Sequence, residues 1–143
     1  MASVPPDMFF KIMNRIHIFL YRISRGKIWK NMLGMPVLLL TTSGRKSGQP
    51  RTTPVVYLRD DDDYLIAASK GGSASHPAWY FNLEATPEVR VEVGDQTFTA
   101  RVTITKDEER DLLYEKFKTA GAHFATYEQN TTRTIPVVRL TPV

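Results

Sequence analysis

The chain has no cysteine among its 143 residues. That excludes disulfides, thiolate metal sites and a cysteine nucleophile, and it is compatible with a reducing compartment. The three histidines, His17, His76 and His123, stand far apart with no HxH or HExxH pairing, so no zinc ligand set is expected and no metal is assigned. A Walker loop, a GxGxxG run and the GxSxG spacing of a nucleophile elbow are all missing. No uncharged apolar stretch reaches the roughly 18 to 20 residues that a membrane-spanning helix needs. A signal peptide is not expected either, because the N-terminal charges fall inside the apolar region rather than ahead of it. The most informative absence is of acid: residues 8–59 hold ten Lys or Arg and no Asp or Glu. Residues 60–143 hold nine against fourteen, so the net charge of +4 conceals a cationic first third. Such a segment points to nucleic acid, an anionic membrane or an anionic small ligand. Nucleic acid is disfavoured, since the cations divide between a helix and a glycine loop with no aromatic stacking surface between them.

The length suits one domain with a real core, and 42% hydrophobic against 24% charged residues is a globular composition. From Met8 to about Met32 the residues Phe9, Ile12, Met13, Ile16, Phe19, Leu20 and Ile23 recur at three- and four-residue steps, which predicts an amphipathic helix. Pro5-Pro6-Asp7 marks its start, and Gly34 and Pro36 its stop. Its apolar face either covers the open side of the rest of the fold or, with Lys11, Arg15, Arg22, Arg25, Lys27 and Lys30, lies on an anionic membrane. There each cation is worth about 1 kcal/mol.

The remainder reads mainly as strands. "PVLLLTT", residues 36–42, is an apolar run fit for a strand buried on both faces. Residues 53–59 and 64–69 flank four aspartates, Asp60 to Asp63, which lack the spacing of a calcium loop and read as a solvated hairpin turn. "EVRVEV" from Glu88 alternates strictly, and after Gly94-Asp95 a second run keeps Phe98, Ala100, Val102 and Ile104 on one face. A short helix is predicted from Ser75 or His76 to Glu84, with Ser75 as cap and Pro77 in its first turn. Another follows Thr105, where Thr105 and Glu108 have capping-box spacing, and runs to about Lys118. "TIPVVRL" from Thr134 is the final strand. Six or so mostly antiparallel strands with helices between them give a small α+β barrel.

Two glycine-and-cation loops, each directly after a predicted strand, carry the chemical signal. In "GRKSGQPR" the backbone can turn at Gly44 and Gly48 while Arg45, Lys46 and Arg51 supply charge for phosphate or carboxylate. "SKGG" repeats the idea with Lys70. Behind it comes "HPAWYFNL", whose Trp79, Phe81 and Leu83 fit a helix packed on the barrel, followed by the donor and acceptor of Asn82. A flat polar heterocycle with an anionic tail would use this order of features.

These stretches, "LLLTTSGRKSGQPRTTPVVYL", "YLIAASKGGSASHPAWYFNLEATPEVRVEVG" and "TRTIPVVRLTPV", resemble the deazaflavin (coenzyme F420)-dependent nitroreductase and F420H2-dependent quinone reductase family. The resemblance covers residues 35–143, leaving residues 1–34 as a basic amphipathic helical segment. It implies an α+β split β-barrel, akin to flavin reductases and pyridoxamine phosphate oxidase, that binds a deazaflavin. The coenzyme has a phosphodiester, a lactyl group and a polyglutamate tail. By the resemblance, Arg45, Lys46, Ser47, Gly48, Gln49 and Arg51 hold this anionic end, Pro54 and Ala67 lie beside the ring system, and Lys70, Ala78 and Asn82 make further cofactor contacts. Hydride transfer to a quinone, an enone or a nitro compound is implied, with Ser69 and Tyr127 on the substrate side as hydroxyl donors. Val56, Gly121 and Phe124 stand where the nitroimidazole-activating pattern has more tyrosines, which implies a more apolar acceptor pocket lined by Val56 and Phe124 and favours quinones or enones. Two alternatives stay open: FMN on the same barrel, and a non-enzymatic membrane-surface module. The protein is expected in the cytoplasm, or peripherally on the inner face of the cell membrane, as a monomer or homodimer.

Overall fold

The computed structural model describes residues 6–143, with side chains from Met8 onward; Pro5, placed by the sequence at the helix start, lies outside the described residues. Helix α1 spans Pro6–Ile23 and so ends about nine residues before the expected stop. Its end is a two-bond cap: the N–H of Arg25 bonds Arg22 O at 3.2 Å and that of Gly26 bonds Tyr21 O at 2.7 Å, with Arg25 itself at φ +56°. Gly26, at φ +77°, lies so close to the turn at Gly94 that a Cβ there would overlap the Gly94 Cα. The apolar pattern runs on through Ile28 and Trp29, but this contact with a distant turn stops the helix.

After β1 (Asn31–Met32) come β2 (Met35–Ser43), β3 (Pro50–Val56), β4 (Leu58–Asp60) and β5 (Asp63–Ala67). Helix α2 (Ala78–Ala85), the hairpin β6 (Glu88–Val93) and β7 (Gln96–Ile104), helices α3 (Asp107–Ala120) and α4 (His123–Gln129), and β8 (Val137–Pro142) complete the chain. All pairings are antiparallel, in the order β1-β2-β6-β7-β8-β5-β4 with β3 on the other edge of β2. The sheet curls into a split barrel. The expected strand 53–59 is in fact two, because the chain leaves β2 at Tyr57, whose N–H bonds Pro36 O, and then pairs with β5. β3 is an edge strand, which tolerates Pro50 and Pro54.

Strand β5 shows how the layers form. Tyr64, Ile66 and Ala68 point into one core with Leu38, Leu40, Val91, Val138 and the α2 residues Trp79 and Leu83. Leu65 and Ala67 point the other way, into a second core with Leu113, Tyr114, Phe117 and Phe124 of α3 and α4. Burying each Leu, Ile or Phe contributes about 1.5 to 3 kcal/mol. Three local expectations are corrected by such packing. Helix α2 begins after Pro77 rather than at Ser75, with no side-chain cap. Thr105 does not cap α3, because its hydroxyl donates to Val137 O at 2.7 Å. The four aspartates are not simply solvated, since Asp60 and Asp63 both accept from Arg139 of β8.

Helix α1 meets the barrel with His17 and Tyr21 rather than with its apolar face. The Tyr21 hydroxyl donates to Val37 O at 3.1 Å and accepts from the Gly94 N–H at 2.8 Å, while His17 stacks on Trp29 and bonds its carbonyl. Phe9, Ile12, Ile16, Phe19 and Ile23 all face outward, so the expectation that they cover the barrel does not hold. Gly26→Ala is expected to cost about 2 kcal/mol or more, since it combines a left-handed backbone with a backbone clash; urea unfolding of the variant against the parent chain measures it.

Candidate active site

The first cationic loop is the turn of the β2–β3 hairpin. Gly44 and Gln49 close it through a 2.8 Å bond, Gly48 at φ +72° bonds back to Gly44 O at 2.7 Å, and the Gln49 N–H donates to Ser47 Oγ. Asn82, buried on α2, fixes the loop from behind: its Oδ1 accepts from the Arg45 N–H at 3.0 Å and its Nδ2 donates to Thr42 Oγ1 at 3.0 Å. The Arg45 guanidinium lies 4.8 Å over the ring of Phe81. In front of the loop is an open cleft of about 720 Å³ lined by Arg45, Lys46, Ser47, Arg51, Ala78 and Asn82. Gly48 and Gln49 do not line this cleft; they shape the turn. Sequence reasoning missed the opposite wall, where α1 contributes Lys11, Asn14, Arg15, Ile18 and Arg22.

A second cavity of about 450 Å³ holds the other expected residues together: Pro54, Val56, Ala67, Ser69, Lys70, Ala78, Phe124 and Tyr127. Met32, Leu33 and His123 also line it, and none of these was singled out from sequence. The Nε2 atom of His123 is buried without a hydrogen-bond partner among the described residues, and burial holds this histidine below its usual pKa. The floor is a 3-10 turn, Lys70–Gly72, in which three successive residues have positive φ. Gly72 is required there, because a Cβ would come within 2.9 Å of the Tyr127 backbone. The two cavities share Thr53, Ala78 and Trp79, so a charged cleft runs directly into an apolar pocket.

Arg133, which no local motif marks out, holds the second loop. Its guanidinium donates to Ala68 O, Ser69 O and Ser73 O at 3.1, 2.8 and 2.9 Å, and to His76 Nδ1 at 2.9 Å. His76 therefore accepts at Nδ1, and its pKa is held below 6.5, first by burial and then by the Arg133 charge.

Among the described residues no carboxylate lines the cleft, and no group of acidic or histidine side chains could hold a metal ion. The cleft thus fits the anionic end of an elongated ligand, and the neighbouring pocket, floored by small residues, fits a flat ring. A group with a lowered folded pKa stabilises fully above its unfolded pKa and loses that contribution as pH falls through the folded value. The melting temperature should accordingly fall between pH 7 and pH 5, and by less in His76→Asn, whose Oδ1 replaces the acceptor without titrating; thermal scans at both pH values test this.

The chain is similar in sequence and in fold to known proteins. Residues 13–142 match the family model described as F420H(2)-dependent quinone reductase. A Mycobacterium tuberculosis protein named as an F420H(2)-dependent quinone reductase is 43% identical over 131 residues, covering 89% of this chain and 88% of the relative. A solved F420-H2-dependent reductase is 37% identical with a TM-score of 0.68, over 73% of this chain and 93% of that one. At the level of fold alone, a Listeria innocua protein named for pyridoxamine 5′-phosphate oxidase aligns with a TM-score of 0.55 at 13% identity, over 89% and 93% of the two chains. With residues 13–142 inside one family model and a relative of that name 43% identical over 131 residues, the chain belongs to the F420H(2)-dependent quinone reductase family.

Proposed function

We propose that the charged cleft holds the phosphate and carboxylate end of reduced F420, and that the apolar pocket brings its ring system against a small hydrophobic acceptor. The observation that supports this reading is the junction at Thr53, Ala78 and Trp79, which joins a cation-lined space to an apolar one. When bound, the reduced deazaflavin supplies a hydride. Arg45, Lys46 and Arg51 neutralise its anionic end, with the loop amides orienting the phosphate. Pro54 and Ala67 leave space for a planar ring, and Lys70, Ala78 and Asn82 make further contacts with the cofactor.

On the acceptor side Val56 and Phe124 exclude water, while the hydroxyls of Ser69 and Tyr127 donate to an oxygen that gains negative charge. Two donors in an apolar pocket favour a quinone or an enone over a nitro compound. Fluorescence titration tests the cofactor, and turnover of a soluble quinone tests the pocket. Oxidised F420 should bind more tightly than FMN and more weakly as salt rises; preference for FMN would move the protein to the flavin branch of this barrel. Ser69→Ala and Tyr127→Phe should each lower kcat/KM about tenfold or more while leaving the Kd for F420 unchanged. Equal loss of both would make them structural.

The outer face of α1 supports a further part of this reading, contact with an anionic lipid surface. Phe19 and Ile23 are each 61% exposed, and the exposed Leu33 lies at the rim of the apolar pocket. No helix among the described residues is long and apolar enough to cross a membrane. Such a face would instead lie in the interfacial plane, where quinones dissolve. Sedimentation with phosphatidylglycerol vesicles should pellet the protein and should fail for Phe19→Glu. Equal pelleting of the two, or none of the parent chain, rejects lipid contact.

A further inference from the structure

The turn that joins β1 to β2 carries a leucine on a backbone that disfavours it. Met32 pairs with Met35, so Leu33 and Gly34 are the two turn residues, and both have positive φ, +54° and +76°. Hairpins with such turns favour Asn-Gly or Asp-Gly, because the left-handed region crowds Cβ against a carbonyl oxygen and only a short polar side chain offsets this with a local hydrogen bond. The turn has no need of leucine. Nor has the core: Leu33 is 61% exposed and belongs to neither buried cluster, and the hairpin is held to the barrel by buried Met35 and by a 2.7 Å bond from the Val37 N–H to Lys30 O. Trp29, the other apolar side chain on a left-handed backbone among the described residues, stacks on His17. Leu33 instead lines the apolar pocket, together with Met32.

A bulky residue kept on a disfavoured backbone points to a role other than folding. Val56, Phe124 and Tyr127 wall the pocket from β3 and α4, while Met32 and Leu33 are its exposed apolar lining. The inner walls suffice for a bare planar acceptor. A substituent projecting from that ring would run into water unless an apolar side chain stood at the rim to cover it. Resting on the reading of this pocket as the acceptor site, we propose that Leu33, with Met32 beside it, is a specificity-determining contact that covers an alkyl substituent and makes the pocket prefer alkyl-substituted quinones to bare ones. Stability and selectivity should then move in opposite directions when Leu33 is replaced. A residue suited to the turn steadies the fold and loses the contact.

The test pairs 1,4-naphthoquinone with its 2-pentyl derivative, each reduced by the full chain with reduced F420 in lipid-free buffer, so that membrane contact plays no part. Comparing variants on the same two acceptors cancels the difference in their intrinsic reactivity. For the parent chain the KM of the pentyl compound should lie about fivefold or more below that of the bare quinone. Leu33→Asn should erase most of this preference, through KM rather than kcat, because the end of the chain lies away from the reacting atoms and is held alike in ground and transition states. Its melting temperature should meanwhile rise by about 2 °C or more. Leu33→Met, which keeps an apolar side chain on the same backbone, should keep the preference. An Asn variant that retains the preference, that melts lower than the parent, or whose Kd for oxidised F420 weakens as much as its KM overturns the assignment. If the parent reduces both quinones without distinction, the rim contact alone is wrong; if it reduces neither, the reading of the pocket fails with it.

Discussion

The carboxamide of Asn82 joins three pieces of chain that must meet for the charged cleft to exist: the end of β2 through Thr42, the cation loop through the main chain of Arg45, and helix α2, on which Asn82 itself sits. Both ends of the amide are used, and the side chain is buried. A buried donor or acceptor that loses its partner costs about 1 to 3 kcal/mol, so this junction tolerates neither Asp nor Leu. Because α2 also supplies Phe81 beneath the Arg45 guanidinium, the backbone and side chain of one loop residue are fixed by the same helix. α2 in turn is held by Trp79, Tyr80 and Leu83 in the inner core. Core packing is thereby transmitted to the position of a surface charge.

The second loop is organised on the same plan with the opposite polarity of parts. There the cation, Arg133, lies behind the loop, and the backbone carbonyls converge on it. That leaves Lys70 at the front and the successive left-handed residues 70 to 72 as its support. The walls shared by the two cavities belong to β3 and α2, which are regular elements, whereas the cleft's remaining lining comes mainly from the 44–51 loop and α1, and the pocket's includes the 69–71 turn and α4. A site built so is pre-organised where reactants must be aligned and adjustable where a tail or an acceptor enters.

Much of this was legible in the sequence wherever the signal was local. Strict alternation gave the 88–104 hairpin, and the continuous apolar run gave β2 with both faces buried. The two glycine-and-cation motifs supply Arg45, Lys46, Ser47 and Arg51 to one cavity and Ser69 and Lys70 to the other. What escaped depends on contacts between residues far apart in the chain. The end of α1 is decided by Gly94, some seventy residues away. Thr105 has the spacing of a cap and is instead claimed by Val137. Arg133 acquires its role only from carbonyls about sixty residues upstream. The basic stripe of α1 was present in the spacing of Lys11, Arg15, Ile18 and Arg22, but the stronger apolar stripe on the same helix drew the reading outward.

Strand β8 follows every other strand in the chain, yet it sits between β7 and β5 in the sheet. Just before it comes the arginine that gathers the second loop. A ribosome that has released residues 1–120 has therefore made both motifs and all the small residues of the ring pocket, but neither the sheet nor the loop can close. Closure of both the sheet and the second loop therefore waits for residues 133–142 to insert between β7 and β5. The non-local pairing slows folding and lengthens the exposure of β5 and β7 as open edges.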